Sequence, residues 1–234
     1  THVGENAFSG CRVLESEIVI PDGVTKIGAS AFAYCAKISK ITIGKNVVEI
    51  GKNAFSDCAQ ITEITIPSSV KVIGAYAFSN CEAVTTLTVG DGLCELGDYA
   101  FSGMPLIESV TLGDSLKTVG EGAFYKCSAL RNVALGSGIE QINKAAFEQT
   151  PIYDESATNE IYVGKWFIGL KDTSVSFVTV ADGTVGIASY ALASTKNITS
   201  IDLPNSVKRI GICAFAGSKI SYAVIGSGVE VIEQ

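Results

Sequence analysis

Apolar positions recur along this chain with a long period, and inside each period they recur again with a short one. The long period is marked by Ala-Phe, which places phenylalanine at Phe8, Phe32, Phe55, Phe78, Phe101, Phe124, Phe147 and Phe215. The first spacing is 24 residues, the next five are 23, and the last is 68. Leu192, in Tyr-Ala-Leu, fills the place 23 residues before Phe215. Aligned on these anchors, the unit reads I-G-x-x-A-F-x-x-C-x-x-[L/I/V]-x-x-[I/V]-x-[I/L/V]-[P/G]-x-x-[V/I/L]-x-x. Residues 27–49 are a clean copy, followed by 50–72, 73–95, 96–118 and 119–141. Ile142 opens a unit that carries an insertion; 187–209 is regular again and 210–231 is one residue short.

Each unit holds five or six apolar residues at fixed offsets, and a segment of that length cannot bury them alone. Stacked units can, each covering its neighbours. The segment L-x-x-I-x-I ends with a period of two, which turns Ile41 and Ile43 inward and Lys40 and Thr42 outward and predicts a short parallel strand. Proline or glycine directly after it (Pro21, Gly44, Pro67, Gly90, Gly113, Gly136, Pro204, Gly226) turns the chain. The Ile-Gly and Ala-Phe-x-x-Cys offsets predict a second tight corner, and no run is long enough for a stable amphipathic helix. The expected fold is a leucine-rich-repeat-like solenoid. It is a right-handed superhelix with a parallel β-sheet on the concave face and short turns, 3-10 or single helical turns, opposite. Residues 1–234 are expected to form one solenoid of about nine units. Neither end shows a polar cap, so the chain is expected to be a portion of a longer exported protein.

Charge and composition narrow the function. The chain is 47% hydrophobic and 18% charged, yet no stretch approaches the length of a transmembrane span, so no direct membrane insertion is expected here. Seventeen basic against 24 acidic residues leave a net charge of −7 without a basic run, which argues against nucleic acid as a partner. The single histidine, His2, removes most histidine-dependent catalysis and most zinc sites.

The repeat unit resembles the BspA-like leucine-rich repeat, a 23-residue class found on many bacterial surface proteins. The interruption at 152–177 also resembles an insertion of that family, with Tyr162-Val163-Gly164-Lys165 as a hairpin and Gly183-Thr184 as a turn. The resemblance implies a curved solenoid on a secreted or surface-anchored protein, used for adhesion or recognition. It implies no enzymatic activity and no cofactor, and it supplies no ligand.

Seven cysteines invite a metal or redox reading. Cys11, Cys35, Cys58, Cys81 and Cys127 all follow the repeat phenylalanine by three residues, a slot filled elsewhere by Met104, Thr150, Thr195 and Ser218. A slot that accepts all four residue types calls for a compact, weakly polar filler, so these thiols are expected to be reduced and buried. Cys94 falls where other units carry lysine or glutamate and is expected to be exposed. No C-x-x-C pair, G-x-S-x-G, H-E-x-x-H or G-K-[S/T] occurs, and the acids scatter over outward offsets, so neither a catalytic nor a metal site is predicted. Gly136-Ser137-Gly138 and Gly226-Ser227-Gly228 occupy the turn after the strand, with no long helix to make a phosphate site.

The outward strand positions carry the functional expectation. One column holds Thr42, Thr65, Thr88, Thr111, Ala134, Thr179, Asp202 and Val224. The other holds Lys40, Glu63, Thr86, Ser109, Asn132, Phe177, Ser200 and Tyr222. Threonine there solvates an exposed sheet, and it also makes a hydroxyl strip of the kind repeat proteins use for binding. The candidate ligand-binding residues are Lys40, Thr42, Glu63, Thr65, Thr86, Thr88, Ser109, Thr111 and Asn132. Residues 161–170 read as a hairpin about Gly164-Lys165. Trp166 and Phe167 there face opposite ways, so at least one is expected to be an outward edge anchor, unless both staple the insertion to the solenoid. Two readings follow. The chain is a surface recognition module for a host or bacterial surface protein or a glycan, or it is a structural spacer that displays other domains.

Overall fold

The computed structural model describes the backbone of residues 1–234 and the side chains of all but Ser16 and Asp154. The chain packs as two compact units, one of residues 1–139 with 145–151 and one of 140–144 with 152–234. Both are built of stacked coils joined by parallel strands, with almost no helix.

In the first unit each coil contributes two strands. The longer ones are those expected from the L-x-x-I-x-I pattern: Ser16–Val19 pairs with Ile38–Thr42, Glu63–Ile66 with Thr86–Val89, and Ser109–Leu112 with Asn132–Leu135, all parallel. A second ladder runs through the residues that precede the Ile-Gly glycine. His2–Val3, Lys26–Ile27, Glu49–Ile50, Val72–Ile73, Glu95–Leu96 and Thr118–Val119 pair in that order, again parallel.

The corner around Ala-Phe takes the turn rather than the helical form. In each coil the residues two before and two after the anchor lie in the left-handed region, as at Ser30 and Tyr34, Asn53 and Asp57, Tyr76 and Asn80, and Gly122 and Lys126. The reason is where the amides point. Asn53, Phe55 and Asp57 donate to the carbonyls of Ala75, Ala77 and Ser79 in the next coil at 2.9, 2.7 and 2.8 Å, where a helix would turn those groups inward along its own axis. A left-handed non-glycine residue costs on the order of 1 kcal/mol. Two such residues per coil are offset by three amide bonds worth about 0.5–1.5 kcal/mol each. Among the described residues the one α-helical turn is Pro151–Asp154, in the insertion.

The core of the first unit is the phenylalanine column. Neighbouring rings from Phe8 to Phe147 stack with centroids 5.0 to 5.7 Å apart. Phe55, Phe78, Phe101 and Phe124 are fully buried. Phe8, at the head of the column, is 44% exposed.

In the second unit Trp166–Leu170, Gly186–Ile187, Arg209–Ile210 and Val231–Ile232 form one parallel ladder. Phe177–Thr179, Ser200–Leu203 and Tyr222–Ile225 form the other. The insertion adds Glu160–Val163 antiparallel to Trp166–Leu170, turning at Gly164, whose φ is +56°. Phe167, Val178, Ile187, Leu192, Ile198, Ile201, Val207 and Ile210 fill this core.

Candidate functional site

Alternation along the strands carries the site outward. Ile64 and Ile66 are buried while Glu63 and Thr65 are exposed, and the neighbouring strand repeats the pattern with Thr86 and Thr88. Register fixes the columns pair by pair in the first unit, where the longer strands form separate two-stranded sheets: Glu63 stands opposite Thr86, Thr65 opposite Thr88, Ser109 opposite Asn132 and Thr111 opposite Ala134. All nine candidate residues, Lys40, Thr42, Glu63, Thr65, Thr86, Thr88, Ser109, Thr111 and Asn132, are solvent-exposed. Lys40, Thr42, Glu63, Thr65 and Pro67 line one shallow depression on this face. Among the described residues Thr65, Thr86, Thr88, Ser109, Thr111 and Asn132 have no side-chain hydrogen bond within the chain. Hydroxyls at other offsets are engaged: Ser79 with Ser102 at 2.9 Å, and Ser69 donating to the Val47 carbonyl at 2.7 Å.

One member of the face escaped the sequence reading. Glu17 heads the Lys40 column, directly opposite Lys40. Its carboxylate lies 3.1 Å from the Lys40 ammonium and accepts 2.8 Å from the Thr42 hydroxyl. The Thr42 hydrogen bond and then Lys40 hold the Glu17 carboxyl below its ordinary range. The cross-strand partner of Lys40 is therefore Glu17, while Glu63 keeps a free carboxylate. The signal was available, since Glu17 stands one period before Lys40.

Trp166 and Phe167 correct the expectation of an outward anchor. They do face opposite ways, but both are inside, at 4% and 0% exposure. Phe167 enters the core and meets Tyr162 edge-on at 5.6 Å. Trp166 lies over Gly186, where an added Cβ would stand 2.6 Å from its ring. Both faces of this strand are covered, so all of Trp166–Leu170 is buried and the aromatics staple the insertion.

The cysteine slot is a hydrogen-bonding position. The Sγ of Cys35, Cys58, Cys81 and Cys127 donates to the carbonyl of Phe8, Phe32, Phe55 and Phe101 in the preceding coil at 3.0, 3.2, 3.3 and 3.2 Å. Threonine serves the same slot by turning back on its own coil, as Thr150 does to the Phe147 carbonyl at 2.6 Å. All seven cysteines are free thiols. Burial pushes Cys58 and Cys127 up to about 12, and Cys81 also rises well above the ordinary range. Two placements differ from expectation. Cys94 is half-buried, its thiol 3.4 Å from the Gly92 carbonyl, and Cys11 is half-buried rather than buried with the rest of its column. Since the thiolate is the reactive form, a thiol reagent should modify Cys11, Cys94 and Cys213 quickly and Cys35, Cys58, Cys81 and Cys127 slowly under native conditions. Mass spectrometry of labelled peptides reads this directly. Uniform fast labelling would refute the buried ladder.

The Gly136-Ser137-Gly138 turn is spoken for internally. Asp114 Oδ1 accepts from the Ser137 amide at 2.7 Å and from its hydroxyl at 3.0 Å. A Cβ on Gly138 would stand 1.9 Å from the Asp114 carbonyl oxygen, so close coil approach requires the glycine. Among the described residues no group of three or more histidine, cysteine, aspartate or glutamate side chains is placed to hold a metal ion.

With this geometry in view, comparison with known proteins places the repeat. The BspA type leucine-rich repeat region matches residues 1–74, 48–164 and 169–234, in 6 copies. No curated protein matches the chain. The pneumococcal vaccine antigen PcpA is similar in structure, with a TM-score of 0.59 at 22% identity, covering 98% of this chain and 57% of its own. A leucine-rich repeat protein from Bacteroides ovatus aligns with a TM-score of 0.55 at 22% identity over 99% of this chain and 66% of its own. The T. pallidum leucine-rich repeat protein reaches 31% identity and a TM-score of 0.56, over 61% of this chain and 65% of its own. This chain thus spans less than two thirds of the length of each. No described helix is long and apolar enough to cross a membrane.

Proposed function

The chain belongs to the BspA-type leucine-rich repeat family, and on that premise we propose that it is a non-enzymatic recognition module, extracellular or at the cell surface. In this reading it adheres to a host or bacterial surface protein or a glycan through the outward columns of its longer strands. The observation that carries the proposal is the array of exposed, internally unpartnered side chains from Glu63 through Asn132. Paired parallel strands on stacked coils bring residues from distant sequence positions onto one face, so a ligand meets them without paying to order them. A second reading, a structural spacer, draws on Thr42, Thr65, Thr88 and Thr111, where one residue type recurs on successive coils as uniform solvation would require.

The test is a set of single substitutions, Glu63→Lys, Thr86→Arg, Ser109→Arg and Asn132→Arg, screened against immobilised extracellular-matrix proteins and an oligosaccharide array. Each should leave stability within about 0.5 kcal/mol, because the positions are solvent-facing. At least one partner should bind the parent chain and lose about tenfold or more in affinity with at least one variant, about 1.4 kcal/mol. A partner that binds all four variants unchanged would move the site off this face and favour the spacer reading.

A further inference from the structure

The second unit carries the same two outward columns with different chemistry. Phe177 and Tyr222, at 52% and 65% exposure, stand in one column with Ser200 between them. The companion column holds Thr179, Asp202 and Val224 in the same register. In the first unit neither column contains an aromatic residue. Phe177 and Tyr222 share the outward offset of their register; the inward positions Val178 and Ile201 of the first two strands are buried, while in the Tyr222 strand the inward Ile225 is itself exposed.

From this arrangement we infer that the Phe177–Ser200–Tyr222 strip, with Asp202 beside it, is a carbohydrate-binding platform for an extended neutral glycan; the inference rests on the reading of the outward columns as the recognition surface. Adjacent strands lie about 4.8 Å apart, so the two rings are separated by about 9.6 Å. A pyranose unit in an extended chain advances by about one strand spacing. Two alternate sugars then lay their C–H faces on Phe177 and Tyr222, and the sugar between them lies over Ser200 and Asp202. Neither the Ser200 hydroxyl nor the Asp202 carboxylate has a side-chain hydrogen bond within the chain among the described residues. The hydroxyl can donate or accept, and the carboxylate accepts from vicinal sugar hydroxyls.

The carboxylate decides between this ligand and the other occupants of an aromatic patch. An apolar peptide or a lipid surface seated on both rings would strip water from Asp202 and return no hydrogen bond, a cost that grows with burial. A polyol returns those bonds while still covering the rings. No lysine or arginine stands in either column of this unit, so neither an anionic sugar nor a phosphate has a counter-charge there.

The experiment is calorimetric titration of the full chain with cellohexaose, chitohexaose and laminarihexaose, followed by the same titrations on Phe177→Ala, Tyr222→Ala, Phe177→Tyr and Asp202→Asn, each checked for an unchanged melting curve. At least one hexasaccharide should bind. Phe177→Ala and Tyr222→Ala should each weaken it about tenfold, Asp202→Asn several-fold, and Phe177→Tyr should retain it. Absence of binding to all three sugars overturns the inference, as does binding that neither alanine variant disturbs. If a matrix protein binds instead and is lost in the Phe177→Ala and Tyr222→Ala variants, the ligand class is wrong while the outward columns remain the recognition surface.

Discussion

Phe78→Ala is expected to lower the free energy of unfolding by about 3–5 kcal/mol, against a total of about 5–15 kcal/mol for a domain of ordinary stability. Phe78 is fully buried, with the Phe55 ring 5.2 Å away on one side and the Phe101 ring 5.6 Å away on the other. The cost of such a truncation depends on whether the site can collapse, and here it cannot. Amide bonds from Phe55 to the Ala77 carbonyl at 2.7 Å and from Phe78 to the Ala100 carbonyl at 2.9 Å hold the coils at fixed spacing. The void therefore persists at nearly full size, and the two flanking rings each lose a stacking partner. Because stability in a solenoid is a sum of nearest-neighbour terms, a hole in a central coil weakens both of its interfaces. Chemical denaturation measures the effect; a shift under about 1 kcal/mol would show that the ring column is not core. Thr88→Ala, which removes an exposed and unpartnered hydroxyl, should move the same midpoint by about 0.5 kcal/mol or less.

The contrast between those two residues was legible from spacing, and the reasons other features were not are physical. The apolar pattern located the regular coils but not the strand Trp166–Leu170, which joins the parallel ladder from inside the insertion, and the alternation around Ile41 and Ile43 set which strand face is wet. The ladder through Lys26–Ile27 and Glu49–Ile50 left no trace because a two-residue strand has no period to detect. The turn around Ala-Phe was hidden for a different reason. Left-handed backbone usually announces itself as glycine or asparagine. Here Tyr34, Tyr76, Tyr99 and Lys126 adopt it, because their amides bond to carbonyls of the next coil and offset a strain that residue preference alone would forbid. Trp166 and Phe167 defeated the alternation rule itself, which separates inside from outside when one face of a strand is wet. In the insertion strand neither face is. The candidate face was readable as a pair of columns, but the pairing of Lys40 with Glu17 depended on a first coil whose alignment begins outside the clean copies.

Gly74→Ala is expected to cost about 1–3 kcal/mol or more, an unusual penalty for adding one methyl group. An added Cβ at Gly74 would stand 2.6 Å from the Lys52 amide nitrogen and 2.8 Å from the Gly51 carbonyl carbon. Those are backbone atoms of the preceding coil, so no flexible side chain can move aside. Relief requires the coils to separate at this corner, stretching the Gly74 amide bond to the Ile50 carbonyl, now 2.8 Å, and the parallel pairing of Ile50 with Ile73. The glycine of the repeat's Ile-Gly pair is thereby explained by approach rather than by dihedral freedom, since Gly74 is not among the left-handed residues. Thermal or denaturant melts of Gly74→Ala against the parent chain decide the matter. A loss under about 0.5 kcal/mol would mean that the coils part without strain at this corner, and their close stacking would no longer account for the glycine.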